Sequence, residues 1–81
     1  MQATEYGPLV YSKPNCVQCT ATYRALDRKG IVYQVVDLTE SAAAMEYVTQ
    51  ELGYSQAPVV VVDEHDYWAG FRPDKIEAHA A

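Results

Sequence analysis

The residues best suited to chemistry in this chain are two cysteines, Cys16 and Cys19, which are separated by Val17 and Gln18. They are the only cysteines among the 81 residues. Residues three apart lie on one face of a helix, so the two sulfur atoms can approach closely enough to form a disulfide. A C-x-x-C pair between a strand and a helix is typical of a dithiol redox centre. The spacing therefore predicts reversible thiol–disulfide chemistry.

The flanking residues predict a strand before this pair and a helix after it. Leu9-Val10-Tyr11 is a short apolar run that stops at Lys13-Pro14. Residues 16–29 contain no glycine or proline, and Gly30 stands where the C-terminal cap of a helix belongs. Cys16 would then lie at the helix N-terminus, where free N–H groups and the helix dipole favour a thiolate. Lys13 can add positive charge nearby.

This placement gives the two cysteines different predicted roles. Cys16, at the accessible end of the helix, attacks a disulfide of a partner as a thiolate and forms a mixed disulfide. Cys19, one turn inside the helix, then attacks Cys16, which releases the reduced partner and leaves an intramolecular disulfide. We therefore expect Cys16 to be the nucleophile and Cys19 to be the resolving cysteine.

The rest of the chain predicts strands and helices in alternation. After the first strand and helix, we predict a strand over 31–36 and a helix from Thr39 or Ser41 to Leu52. Met45, Val48 and Leu52 form the buried stripe of that helix. Strands over 59–62 and 67–69 and a helix over 73–80 follow. The order βαβαββα predicts an α/β protein with a thioredoxin-like fold, in which three helices flank one four-stranded mixed sheet. We expect residues 1–81 to form a single domain in which residues 1–7 are a short N-terminal lead-in.

Three other uses of the cysteine pair compete with the redox centre. A structural zinc site needs about four nitrogen or sulfur ligands, and only His65 and His79 could join the cysteines. Both histidines lie far along the chain, so we expect no metal site within one chain. Two chains could share a cluster through two thiolates from each, or the cysteines could be inert and buried. The strand-to-helix junction favours the redox centre.

The composition excludes several classes of partner. The chain is 49% hydrophobic and 21% charged, as globular proteins are, and its net charge is −5. We therefore expect it to bind neither nucleic acid nor an anionic membrane. The chain has no apolar run of about 20 residues and no signal peptide pattern, so we expect a cytoplasmic protein. The chain is too short for a separate cofactor domain, so the expected redox group is the Cys16–Cys19 disulfide alone.

Three stretches of the sequence resemble one family. They are Cys16-Val17-Gln18-Cys19-Thr20, the stretch 53–60 that contains Ala57-Pro58, and the stretch 68–76 that begins Trp68-Ala69-Gly70-Phe71-Arg72-Pro73. With them the chain resembles the glutaredoxin branch of the thioredoxin superfamily, and the NrdH-redoxins in particular, from about Leu9 to Ile76. One small departure is Ala69, where the family usually carries serine.

The resemblance implies a function and a set of contact residues. NrdH-redoxins receive electrons from thioredoxin reductase and pass them to the large subunit of a class Ib ribonucleotide reductase in the bacterial cytoplasm. We expect a monomer, because such a protein visits two partners in turn. The residues expected to contact partners are Lys13, Val17, Gln18, Ala57, Pro58, Trp68, Phe71 and Arg72. The bond before Pro58 is expected to be cis, which leaves the backbone of Ala57 free to pair with an extended partner segment.

A glutathione-dependent glutaredoxin is the main alternative function. Glutathione carries net negative charge, so its sites usually offer basic side chains and the N-terminus of a helix. Here the last helix opens with Pro73, which lacks an N–H, and with Asp74, which adds negative charge. Glutaredoxins usually carry C-P-Y-C where this chain has C-V-Q-C. Both features favour the thioredoxin-reductase-linked function.

Overall fold

One mixed sheet forms the centre of the computed structural model, which describes residues 7–80. Its strands are β1 (Leu9–Ser12), β2 (Gln34–Asp37), β3 (Val59–Asp63) and β4 (Asp66–Ala69), in the order β2-β1-β3-β4. Strands β1 and β2 are parallel, whereas β3 runs antiparallel to both β1 and β4. The parallel pair and the closing hairpin confirm the predicted thioredoxin-like fold.

Three helices connect and follow these strands. They are α1 (Val17–Arg28), α2 (Ala42–Glu46), which continues into a π-helical turn (Tyr47–Glu51), and α3 (Pro73–Ala80). Gly30 follows α1 with a φ of 70°, a left-handed conformation that glycine adopts without steric cost. Within the described residues, no helix is long and apolar enough to cross a membrane.

The core lies on both faces of the sheet because successive strand residues point to opposite sides. Leu9, Tyr11, Val59 and Val61 pack with α2 and the π-helical turn in one cluster. Val10, Val60 and Trp68 pack with Leu26 of α1 and Ile76 of α3 in the other cluster. Val59, Val60 and Val61 are fully buried, so β3 is covered on both faces. Each such side chain contributes about 1.5–3 kcal/mol to folding.

Strand β2 begins at Gln34, three residues later than predicted. The parallel ladder starts where β1 starts, with Leu9 opposite Gln34, and the N–H of Gln34 donates to the carbonyl of Pro8 at 3.0 Å. Gly7 has a φ of 84°, and a Cβ there would overlap the carbonyl oxygen of Val32. The β-branched and aromatic residues 31–33 favour a strand locally, but no strand among the described residues pairs with them.

The second helix is shorter and less regular than predicted. Its N-cap is Ser41, whose hydroxyl accepts the N–H of Ala44 at 3.1 Å. The α-helical hydrogen bonds give way to a π-helical turn, in which the N–H of Leu52 donates to the carbonyl of Tyr47 at 3.1 Å. The prediction that Met45 is buried is wrong, since its side chain is 42% exposed. The buried stripe of this helix instead begins at Ala44, one turn before Val48.

We expect Tyr11 to make the fold sensitive to alkaline pH. Burial, and to a smaller extent the neighbouring Tyr47, raises the pKa of Tyr11 to about 12. Because this value lies above that of an unfolded tyrosine, near 10, the stabilisation is complete below about pH 10 and disappears between about pH 10 and pH 12. The shift corresponds to about 2–3 kcal/mol.

Urea unfolding at a series of alkaline pH values measures this contribution. The free energy of unfolding should fall more steeply between about pH 10 and pH 12 in the wild type than in Tyr11→Phe. Val32→Ala, at an exposed residue without a titratable group, is the control and should keep the wild-type slope. A Tyr11→Phe variant with the wild-type slope would show that Tyr11 is not the titrating group.

Candidate redox site

The two cysteines form a disulfide at the junction between β1 and α1. Cys16 and Cys19 are joined through their Sγ atoms, and their Cα atoms are 5.2 Å apart. Cys16 is the N-cap of α1, in an extended conformation, whereas Cys19 lies in the first turn of the helix. Cys19 is buried, with only 2% of its surface exposed, and Cys16 is half-buried. The sulfur of Cys16 is therefore the more accessible of the two.

The N-terminus of α1 supplies one hydrogen bond to the sulfur of Cys16. The backbone N–H of Cys19 donates to Sγ of Cys16 at 3.1 Å. The first turn of α1 contains no acidic residue. Once the disulfide is reduced, this N–H and the positive end of the helix dipole would stabilise a thiolate on Cys16. The electrostatics match the chemistry that the sequence predicts.

Asn15 gives the chain the sharp change of direction that this placement requires. Its φ is 58°, which makes it the one non-glycine residue in the left-handed region among residues 7–80. Asparagine tolerates this conformation better than most other residues. Sequence reasoning missed Asn15, although an asparagine directly after a proline is a recognisable turn signal.

The loop between β4 and α3 is hydrogen-bonded to the redox site. Oε1 of Gln18 accepts the backbone N–H of Phe71 at 3.0 Å. The N–H of Gly70 donates to the carbonyl of Pro58 at 2.8 Å. The structure thus links Gln18 to Phe71 and Gly70 to Pro58, whose side chain is fully buried. That Gln18, Pro58 and Phe71 contact a partner stays a prediction. Val17, which is 84% exposed, adds an apolar side chain next to Cys16.

The segment before β3 presents free backbone groups. The Ala57–Pro58 peptide bond is cis, as predicted. Among residues 7–80, no hydrogen bond uses the backbone N–H or C=O of Ala57. Ala57 is half-buried, while Pro58 is buried beneath it. The backbone of Ala57 is available to a partner strand.

Arg72 is held by a neighbour in sequence. Its Nε donates to Oδ1 of Asp74 at 3.0 Å, and its Nη2 donates to Oδ2 at 2.8 Å. These hydrogen bonds raise the pKa of Arg72 and lower the pKa of Asp74. Because both side chains are largely exposed, the pair adds little to stability. Its main effect is to fix the guanidinium at the start of α3.

Trp68 does not lie where the sequence placed it. The prediction that its side chain helps to form the surface beside the cysteines is wrong, because Trp68 is only 4% exposed and packs against Leu26 and Ile76. Trp68 is directly opposite Val60 in the sheet and so shares the inner face with it. Its indole Nε1 is buried and has no hydrogen-bond partner among the described residues.

The histidines lie away from the cysteines in exposed positions. Nε2 of His65 is 3.6 Å from Oε1 of Glu64 in the turn between β3 and β4, and His79 is near the end of α3. In the part of the chain that the structure describes, no three His, Cys, Asp or Glu side chains are close enough to hold a metal ion. The site therefore consists of the Cys16–Cys19 disulfide and the unpaired backbone of Ala57.

Comparison with known proteins identifies the family. A model of the glutaredoxin family matches residues 9–66, which include both cysteines and the cis proline. The chain belongs to the glutaredoxin family. The glutaredoxin-like protein NrdH of Escherichia coli K12 is 36% identical over 67 residues, which are 83% of this chain and 80% of that protein. The Gene 56 protein of Mycobacterium phage D29 is 39% identical over 75 residues, which are 91% of this chain and 83% of the phage protein.

Solved structures place the chain within this family more narrowly. The NrdH-redoxin of Escherichia coli superposes with a TM-score of 0.81 and 34% sequence identity, covering 88% of this chain and 91% of that chain. That redoxin is described as a glutaredoxin-like protein with a thioredoxin-like activity profile. The present chain is therefore an NrdH-like member of the glutaredoxin family, which confirms the resemblance found in its sequence.

Proposed function

We propose that this protein is a dithiol carrier that receives electrons from thioredoxin reductase and delivers them to a class Ib ribonucleotide reductase. The observation that carries the proposal is the Cys16–Cys19 disulfide at the N-terminus of α1, with the backbone of Ala57 free beside it. Similarity to NrdH-redoxin, which is described as having a thioredoxin-like activity profile, supports thioredoxin reductase as the electron source. The ribonucleotide reductase is the acceptor that the family resemblance implies. No cofactor beyond the cysteine pair is needed, and the protein acts as a monomer in a bacterial cytoplasm.

The transfer moves two electrons by two disulfide exchanges. First, a thiolate of thioredoxin reductase attacks Cys16, which breaks the Cys16–Cys19 bond and releases Cys19. The second reductase thiol then attacks the first reductase sulfur, which closes the reductase disulfide and displaces Cys16 as a thiolate, while Cys19 takes up the proton of that thiol. The carrier is now a dithiol. Then the Cys16 thiolate attacks the acceptor disulfide and one acceptor sulfur leaves, taking up a proton. Cys19 next attacks Cys16, which releases the second acceptor sulfur as a thiol and restores the Cys16–Cys19 disulfide.

A glutathione-dependent glutaredoxin is the second candidate, and the loop before α3 opposes it. An anion that binds at a helix N-terminus needs free N–H groups and no competing negative charge. The N–H of Phe71 is already bonded to Gln18, and Pro73 has none to offer. Asp74 occupies the guanidinium of Arg72. These contacts favour a protein reductant over an anionic tripeptide.

Reconstitution of the complete electron path tests the proposal. A class Ib ribonucleotide reductase supplied with NADPH and thioredoxin reductase should form deoxyribonucleotide at a rate proportional to the amount of this protein added. Omitting it should lower the rate by about tenfold or more, since each missing exchange partner breaks the path. A Val32→Ala variant, altered at an exposed position in the loop before β2, should support the wild-type rate. A rate that is independent of this protein would contradict the proposed function.

A further inference from the structure

A cavity opens between Lys13, three residues before Cys16, and Ala57, which precedes the cis proline, and neither cysteine lines it. Its volume is about 250 Å³, and its lining includes Leu38, Met45, Val48, Thr49 and Ala57, with Lys13 at its margin. Small-molecule sites are usually larger, at about 300–1,000 Å³. The size and the mainly apolar wall fit a single side chain of a partner better than a cofactor.

The π-helical turn forms one wall of this cavity. Val48 and Thr49 belong to the turn, and the hydroxyl of Thr49 donates to the carbonyl of Met45 at 2.8 Å. Turns of this kind occur frequently at functional sites. Met45, whose exposure contradicted the sequence prediction, lies at the margin of the cavity with 42% of its surface accessible. An exposed apolar residue above an apolar wall is suited to contact with another molecule.

The backbone of Ala57 connects the cavity to the cysteine pair. Ala57 lines the cavity, and its N–H and C=O make no hydrogen bond with another described residue. A partner segment that pairs with this backbone in extended form passes over the mouth of the cavity. Because side chains alternate along an extended chain, one of them points into it.

Acidic residues near the cavity indicate which charge the partner segment carries next to that side chain. The carboxylate of Asp37 accepts hydrogen bonds from the N–H and hydroxyl of Thr39, another lining residue. Glu40 follows Thr39 in the sequence, and Glu46 borders a shallow groove that shares Met45 and Thr49 with the cavity. Among described residues, none of these three acids makes an ion pair, and Lys13 is the only basic residue of the lining. These unpaired carboxylates next to the lining therefore favour a positively charged segment.

We infer that this cavity receives an apolar side chain of the disulfide-bearing segment that Cys16 attacks, on a segment with Lys or Arg beside that side chain. The inference rests on the proposed role as a donor to polypeptide disulfides, but not on the identity of either partner protein. The cavity then determines which disulfides react fast, while Cys16 and Cys19 carry out the exchange.

Short peptides with one internal disulfide measure this preference. In a series of such peptides, leucine is compared with serine at one position at a time on either side of the disulfide. The wild-type protein is first reduced with dithiothreitol, and the dithiothreitol is then removed. Reduction of the peptide is followed in a single turnover by acid quench and mass spectrometry. At one position, the leucine peptide should have a second-order rate constant about tenfold higher than that of the serine peptide, as expected if the leucine side chain becomes buried. Lysine next to that leucine should exceed glutamate by a few-fold at low salt, and the difference should shrink at high salt.

Two variants alter the cavity in different ways. Thr49→Trp fills the cavity, and Met45→Asp places a charge at its margin. In both, the rate ratio of the leucine to the serine peptide should fall to about twofold or less. Ala78→Asp, an exposed change on α3, is the matched control and should keep the wild-type ratio. Circular dichroism shows that each variant is folded, and Met45→Asp tests the inference if the tryptophan variant does not fold.

Four results would overturn the inference. Leucine and serine peptides could react equally at every position, or the leucine preference could persist in both folded variants. The variants could also slow only the reduction by thioredoxin reductase, or weaken self-association, which would assign the cavity to that enzyme or to a second copy. Because dithiothreitol supplies the electrons here, a clear leucine preference in a protein that thioredoxin reductase does not reduce would support the inference and contradict the proposed function.

Discussion

Cys16→Ser should abolish the reduction of protein disulfides, whereas Cys19→Ser should stop the reaction at a covalent complex with the acceptor. Cys16 is the more accessible sulfur and receives the N–H of Cys19, so it is the expected nucleophile. Serine cannot replace a thiolate in disulfide exchange, and the rate should fall by about a thousandfold or more. Without the second thiol, the mixed disulfide on Cys16 has no internal route to resolution.

Non-reducing electrophoresis and mass spectrometry separate these outcomes. Cys19→Ser should give one adduct, with a mass equal to the sum of the carrier and the acceptor, and dithiothreitol should release it. Thr20→Ser is a control next to the pair, and it should turn over without accumulating an adduct. If Cys16→Ser formed the adduct through Cys19, and Cys19→Ser formed none, the assignment of the two roles would be reversed.

Trp68→Ala should be among the most destabilising single substitutions in this chain. Trp68 is 4% exposed and packs with Leu26 and Ile76, so its removal leaves a large cavity between the sheet, α1 and α3. Such truncations typically cost about 3–5 kcal/mol, which is a large share of the stability of a small domain. Trp68→Phe should cost less, because it keeps most of the ring contacts and removes an indole N–H that has no described partner.

Urea unfolding compares these variants with a surface aromatic. Phe71→Ala, at a residue that is 37% exposed, should cost about 1 kcal/mol or less. Equal destabilisation by Trp68→Ala and Phe71→Ala would contradict the placement of Trp68 in the core. Retained stability with lost activity in Trp68→Ala would instead favour the surface position that the sequence suggested.

Local patterns were sufficient to predict most of the fold. Three signals affect only the few residues around them: the β-branched run of β3, the glycine after α1 and the proline at the start of α3. Each lies where it was predicted. The cysteine pair was predictable for the same reason, since its spacing and its place between a strand and a helix are local features. The family resemblance supplied the cis bond before Pro58.

The features that sequence reasoning missed depend on distant neighbours. Whether Trp68 faces the core depends on its register with Val60, since a shift of one residue would turn it to the other face. The late start of β2 depends on where β1 begins. The hydrogen bond between Gln18 and Phe71 joins residues 53 positions apart, beyond the range of any periodicity. The cavity beside Ala57 required both the π-helical turn and the loop before β3.

The choice of reductant tests the central claim most directly. NADPH oxidation is followed with an excess of a protein disulfide and a limiting amount of this protein, once with thioredoxin reductase and once with glutathione and glutathione reductase. The account predicts that thioredoxin reductase supports turnover at least about tenfold faster than glutathione, because the N-terminus of α3 lacks a free anion site. Rapid turnover with glutathione and none with thioredoxin reductase would contradict it.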